Sequence, residues 1–311
     1  MKQTSNVPFS KVDTKLFVDG LFVPTKGKAR GKLLTEPLKM GDTKVQYQGF
    51  DQLGTDDQSI LLAICANLGI DGLIIKPADP KGPYARQLVM DIEFEEYTGF
   101  PPDNRRNMVS KKTTYYNILK MAGFKNPHAT KDLRVILNRL GNVQARYMSK
   151  KWDYAVNLLK HAYNKINGEV YIAVNPEITR AILGEQHALV SLYERRELET
   201  ETAKLLHFWL SGYVRPGGCL GRNGARLEKL CRHVWGPKHD GVDRRLKSRR
   251  KGYIREALNQ IADNTQHLYL NGGVSWKIEY DREIAKVERP AELPFLEEIE
   301  RTLNDTLESD F

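Results

Sequence analysis

LGTDDQSILLAI, residues 53–64, and LETETAKLLHFW, residues 198–209, align without a gap at an offset of 145 residues. Each carries Leu, then Thr at a helix N-cap position, acids in the first turn, and a paired apolar step: Ile60-Leu61 in one, Leu205-Leu206 in the other. A Thr hydroxyl takes up orphan N–H groups of a first turn, and carboxylates there complement the helix dipole. In the first copy Thr55 and Gln58 also have capping-box spacing.

The residues downstream of the two copies match as well. After the first come a strand pair at 72–75 and 87–94, a helix over 113–122 halted by Gly123, and a third helix over 128–140. Strands at 143–148 and 154–159 come next, with 169–174 completing that sheet. After the second copy come a helix over 225–234, a long basic helix from Arg244, and a hairpin of 267–270 with 275–280, turned by Asn271-Gly272-Gly273. Helix, helix, helix, hairpin, twice, is the order of a winged helix-turn-helix. The expected fold is α+β, with two tandem winged helix-turn-helix domains. Residues 1–40 read as a basic flexible arm in which 15–23 pair as a strand, 41–175 and 176–290 as the two domains, and 291–311 as an acidic tail. Pro176 suits the first position of a linking helix over 176–183.

The chain has 48 Lys plus Arg against 39 Asp plus Glu. Seven acids and one base fall in 291–311, leaving 47 bases against 32 acids before it. Such a body calls for a polyanion, nucleic acid or an anionic membrane surface. The acidic tail reads as a solvated helix or as a competitor for the basic surface. The longest apolar run, 60–70, is too short to span a bilayer. Three cysteines and an N-terminus with no apolar signal core place the chain in the cytoplasm.

In a winged helix the third helix enters the major groove and the wing touches backbone or minor groove. In the second module Arg244, Ser248, Lys251 and Arg255 form one stripe opposite Leu246, Tyr253, Ile254 and Ala257. Arg245, Lys247, Arg249 and Arg250 flank it, and no acid balances the run from 244 to 255. Arg reads guanine bidentately, while Ser and Lys serve bases or phosphates. Asn271 stands at the expected wing turn. In the first module Lys131, Arg134 and Asn138 share a face diluted by Asp132, with Lys125 and His128 at its entrance. Arg146, Lys150 and Lys151 are its expected wing bases.

Signals for catalysis are thin. There is no His-x-His ahead of a Tyr, as rolling-circle nicking requires, and no His-x-x-Arg of a tyrosine recombinase. The glycines of RPGGCLGRNG, 215–224, do not form GxxxxGK[ST], and read as a loop between helices that rests on phosphates at most. Cys231 and His233, two apart on a helix, face different ways, so no zinc site is expected with Cys219. Tyr115-Tyr116 beside Lys111, Lys112 and Lys120 reads as aromatic packing rather than a nucleophile.

GFDQLGTDDQSILLAI (49–64), EVYIAVNPEITRAILG (169–184), LETETAKLLHFWLSGYV (198–214), LEKLCRHVWG (227–236) and RRLKSRRKGYIREALNQI (244–261) resemble, in the same order, motifs of the replication initiator protein C family of IncQ-type plasmids. The resemblance spans roughly residues 45–280; the 76–112 region and the acidic tail stand outside the family pattern. It implies two winged-helix domains that bind direct repeats (iterons) of double-stranded origin DNA and help open an adjacent AT-rich segment. It further implies recruitment of a plasmid helicase and primase, with no cofactor and no catalytic activity. Self-association is left open. The rival from the same binding class is a transcriptional regulator with two DNA-binding modules. A nicking enzyme lacks its His pair, and a membrane-surface protein lacks apolar bulk opposite the basic stripe.

Overall fold

The computed structural model describes residues 9–25, 29–75, 108–126, 130–150, 153–269 and 275–291. The chain runs β1 (Phe9–Asp13), β2 (Leu33–Leu34), β3 (Leu38–Met40), β4 (Thr43–Gly49), α1 (Thr55–Asp71), β5 (Leu73–Ile75) and β6 (Met108–Thr114). Then come α2 (Tyr115–Met121), α3 (Thr130–Gly141), β7 (Gln144–Met148), β8 (Asp153–Asn157), β9 (Leu159–Tyr163) and β10 (Glu169–Val174). Next are α4 (Pro176–Ile182), β11 (His187–Ser191), α5 (Leu192–Glu197), α6 (Glu201–Tyr213), β12 (Ala225–Arg226) and α7 (Leu227–Trp235). Last are α8 (Arg244–Thr265), β13 (Lys277–Asp281) and β14 (Ile284–Glu288). The fold mixes helices with sheets, and every strand ladder among the described residues is antiparallel.

The two echoed helices start differently. Thr200 caps α6 as expected, accepting the Ala203 N–H at 3.1 Å. In α1 the cap is Gly54, whose N–H bonds to the Asp57 carboxylate at 2.7 Å, so the expected Thr55–Gln58 box does not form. A Cβ on Gly54 would run into Thr25 Oγ1. Buried Asp57 also holds Arg30 at 2.6 Å and Arg139 of α3 at 2.7 Å. One carboxylate thereby fixes the start of the first helix against the third.

The sheets correct the expected strand partners. β7 and β8 join β4 in the order β2-β4-β7-β8, with β3 also on β4. β10 instead lies in β5-β6-β10-β9. The strand expected over 154–159 breaks at buried Leu158, whose N–H goes to Val143 O at 2.9 Å and whose carbonyl accepts Asn175 N–H at 3.1 Å. The third small sheet is β12-β14-β13. In both halves, therefore, the strand leading into a second helix (β6 or β12) pairs with the returning strand of a hairpin placed after the third helix (β10 or β14).

Two expectations fail on placement. The second hairpin spans 277–288 and turns at Arg282, whose φ is 53°, while the expected turn Asn271-Gly272-Gly273 lies outside the described residues. The expected strand over 267–270 opens instead as a 3-10 turn, Gln266–Leu268. Nor are residues 9–25 a flexible arm, and 15–23 are no strand: β1 pairs with β11 from Phe9↔Ser191 to Asp13↔His187. Leu16, Phe17, Val18, Leu21 and Phe22 are buried, and Phe17 stacks on Phe208 of α6 with ring centroids 4.3 Å apart. The apolar steps outweigh the surrounding Lys and Gly because they find a ready partner in α6. The segment is a strap between the halves: Phe22 bridges to Leu53, while the Asp19 carboxylate meets His233 of α7 at 2.5 Å.

Candidate nucleic-acid interface

α8 starts at Asp243, whose carboxylate accepts the Leu246 N–H at 2.8 Å. Ile254, Ala257, Leu258 and Ile261 are buried on the helix's inner side. Leu246 is only half-buried and Tyr253 is 42% exposed, so neither anchors the helix as expected. The first two turns project beyond the core, and Arg244, Arg245, Ser248 and Arg249 are exposed there. Gly252 continues the outer face, and a Cβ on it would meet nothing within 4 Å. A glycine in mid-helix weakens the helix and permits close approach of another backbone.

Acids absent from the basic run arrive from elsewhere in the chain. Glu283, at the hairpin turn, pairs with Lys251 at 2.9 Å and Arg255 at 3.3 Å. Glu228, in the first turn of α7, lies 3.5 Å from both Lys247 and Lys251. The Lys251 hydrogen bond holds the Glu283 carboxyl below its ordinary range. Burial pushes Glu228 up, but His239, Lys251 and Lys247 together outweigh it and leave it lowered. Glu228, Glu283, Lys247 and Lys251, with Arg226, Arg244 and Ser248, line a cleft of ≈ 590 Å³. Arg250 turns away, over the Trp235 ring at 5.0 Å and against His239 Nδ1 at 3.1 Å. The expected stripe thus divides. Arg244 and Ser248 are exposed, Lys251 and Arg255 are clamped, and Arg245 and Arg249 flank them on the solvent face.

α3 keeps the expected face. Leu133, Ile136, Leu137 and Leu140 are buried, while Lys131, Arg134 and Asn138 are exposed. Among the described residues these three side chains make no ion pair or hydrogen bond. Lys125 is exposed ahead of the helix. Arg146 stands on β7, in the sheet with β4, where Asp153 holds it at 2.5 Å, and Lys150 is exposed in the turn after that strand. His128, Lys151 and Asn271 lie outside the described residues.

Other singled-out groups have structural partners. Tyr115 is buried and stacks on Tyr163 at 4.7 Å, and burial pushes its phenol up. Buried Cys231 has its thiol pushed up to about 12, and His233 stacks on Trp209 at 3.9 Å. The 215–224 loop spends backbone groups on β14 and the segment after it: Leu220 N–H bonds to Val287 O at 2.8 Å, and Gly217 N–H to Pro290 O at 3.0 Å. Among the described residues no helix is long and apolar enough to cross a membrane. Sequence reading misses Arg226, exposed at the N-cap of α7, and the two clamping glutamates. Arg226 has a local signal, a base just before an amphipathic helix; the glutamates have none.

The sequence matches the family model for Replication protein C (RepC) over residues 11–283. No curated protein matches it. A crystal structure of selenomethionine derivatives of domain 2 and domain 3 of RctB overlays with a TM-score of 0.47 at 10% identity, covering 89% of this chain and 98% of that one.

Proposed function

This chain belongs to the Replication protein C family, and we propose that it is a plasmid replication initiator that binds iteron direct repeats at an origin through two winged helices. The observation that carries the reading is the repeated order of lead strand, second helix, third helix with a polar outer face, and returning hairpin. In this reading α3 and α8 each enter a major groove. Arg245, Ser248 and Arg249 meet base edges while Gly252 lets the helix approach closely, and Arg226 and Arg244 take phosphates. Bound through both modules, the protein promotes opening of the origin and recruits a helicase and a primase. It works in the bacterial cytoplasm, with no catalytic step of its own and no cofactor.

A hydroxyl-radical footprint of the purified protein on the DNA upstream of its own coding sequence tests this. Direct repeats, each protected over about 20 base pairs as two adjacent helical turns, are the expected result. A single palindrome over a promoter contradicts it and returns the protein to transcriptional regulation.

A further inference from the structure

We propose that the turn joining β9 to β10 is a DNA contact of the first module, and that Ile166 at its tip wedges into the minor groove of the bound duplex. The proposal rests on the winged-helix reading above and adds a site to it.

Topology gives the first reason. β9 and β10 stand to β6 as β13 and β14 stand to β12, so the first module's counterpart of a wing is this hairpin and not β7–β8. Arg146, on β7, belongs to a different sheet.

The second reason is the turn itself. Ile166 is 97% exposed, while the groups around it are fully committed to holding shape. Asn164 N–H bonds to Glu169 O at 2.8 Å, Gly168 N–H to Asn164 O at 3.0 Å, and Ile166 N–H to Asn164 Oδ1 at 2.9 Å. Asn167 closes the other side, taking the Glu169 N–H at 3.1 Å and donating to its carboxylate at 2.7 Å. Gly168 supplies a φ of 71°. A preformed turn spends little ordering entropy when its tip is covered.

Position and charge give the third. Tyr163, the last residue of β9, stacks on Tyr115 at the start of α2, planes 11° apart. Along the same strand, burial and then the nearby Arg134 guanidinium of α3 hold His161 low. The hairpin is thereby rooted beside the polar face of α3. Lys165 and Lys160 flank it, and the one acid at its base, Glu169, is neutralised by Lys112 at 2.7 Å. A cationic rim around a rigid apolar tip suits a polyanion with an apolar interior. Minor-groove proteins insert such side chains between base steps while bases hold the flanking phosphates.

The test uses full-length protein and the upstream duplex fragment, read by fluorescence anisotropy. Ile166→Asp should weaken binding about tenfold or more, and Ile166→Ala by a smaller factor, since the contact is apolar burial. Melting temperature should stay put in both, because the side chain touches nothing in the free protein. Preloading the duplex with netropsin, a minor-groove ligand, should weaken the wild type and leave Ile166→Asp indifferent. Wild-type protein that fails to bind the fragment would overturn this site and the proposed function together. Tight binding by the wild type that Ile166→Asp retains within about twofold, below the tenfold that 1.4 kcal/mol represents, would overturn this site alone.

Discussion

α3 and α8 hold the same place in a repeated order, yet their polar faces are built in opposite ways. α8 carries seven cations between Arg244 and Arg255. Glu228 and Glu283 engage Lys247, Lys251 and Arg255, while Trp235 and His239 engage Arg250. Among the described residues, Arg244, Arg245 and Arg249 have no such partner. α3 has fewer bases, but Lys131, Arg134 and Asn138 are equally without one. Counting charges along a helix therefore overstates the difference between the modules. Acids folded in from elsewhere relieve the self-repulsion of α8 and leave each helix with about the same unpaired polar face.

The halves are also locked by different buried carboxylates, and breaking either should give the largest effect. Asp57 holds Arg30, Arg139 and the cap of α1. Glu194 accepts from His207 Nε2 at 2.9 Å, from Trp276 Nε1 at 2.7 Å and from the Tyr269 hydroxyl. Removing one member of a buried network leaves partners unpaired and costs about 3–5 kcal/mol. Asp57→Ala and Glu194→Ala should each lower denaturant stability by that order. A loss below about 1 kcal/mol, the worth of an exposed pair, would show that the site is not dry.

Next in size is the division of α8 into a packed part and a projecting part. Leu258→Ala should cost about 2–5 kcal/mol of stability, whereas half-buried Leu246→Ala should cost clearly less. Equal losses would mean that the first turns are docked after all.

How much of this is legible in the sequence depends on range. The Thr200 cap of α6, the α3 face and the Asn175-Pro176 start of α4 rest on neighbours within a turn or two, and they stand where the residues put them. β6 escapes a sequence reading because Lys111 and Lys112 interrupt its apolar residues, although both lie on a ladder with β10. The hairpin turn escapes it because Arg282 adopts a left-handed conformation that its residue type does not announce. The strap depends on contacts across more than thirty residues and the glutamate clamps on pairs 19 to 32 residues apart, where no periodicity reports them.

Acid should act on the second half through His207. Burial holds this imidazole below its ordinary 6.5, despite the Glu194 carboxylate beside it. The unfolded chain takes its proton first, so the stability His207 contributes is complete above pH 6.5 and is lost as pH falls through the lowered value. Asp13, raised by burial to about 6, works in the opposite sense. The expected outcome is a melting temperature that falls on acidification more steeply in the wild type than in His207→Gln. Parallel profiles would remove His207 from the account. The smallest effect belongs to Arg146, whose exposed pair with Asp153 lies outside the sheets β5-β6-β10-β9 and β12-β14-β13: Arg146→Ala should change neither melting temperature nor DNA affinity, and a marked loss of affinity would return β7–β8 to the proposed interface.

The central claim is that both helices hold one duplex, and salt dependence measures it most directly. Each phosphate contact contributes roughly 0.9 to the slope of log affinity against log salt. Affinity for the upstream fragment should be titrated across salt for the wild type, for Lys131→Ala/Arg134→Ala, and for Arg244→Ala/Arg249→Ala. Both double variants should bind more weakly than the wild type, each with a slope shallower by about one unit or more. A Lys131→Ala/Arg134→Ala variant with the wild-type affinity and slope would contradict the claim, leaving α8 as the only helix on the DNA.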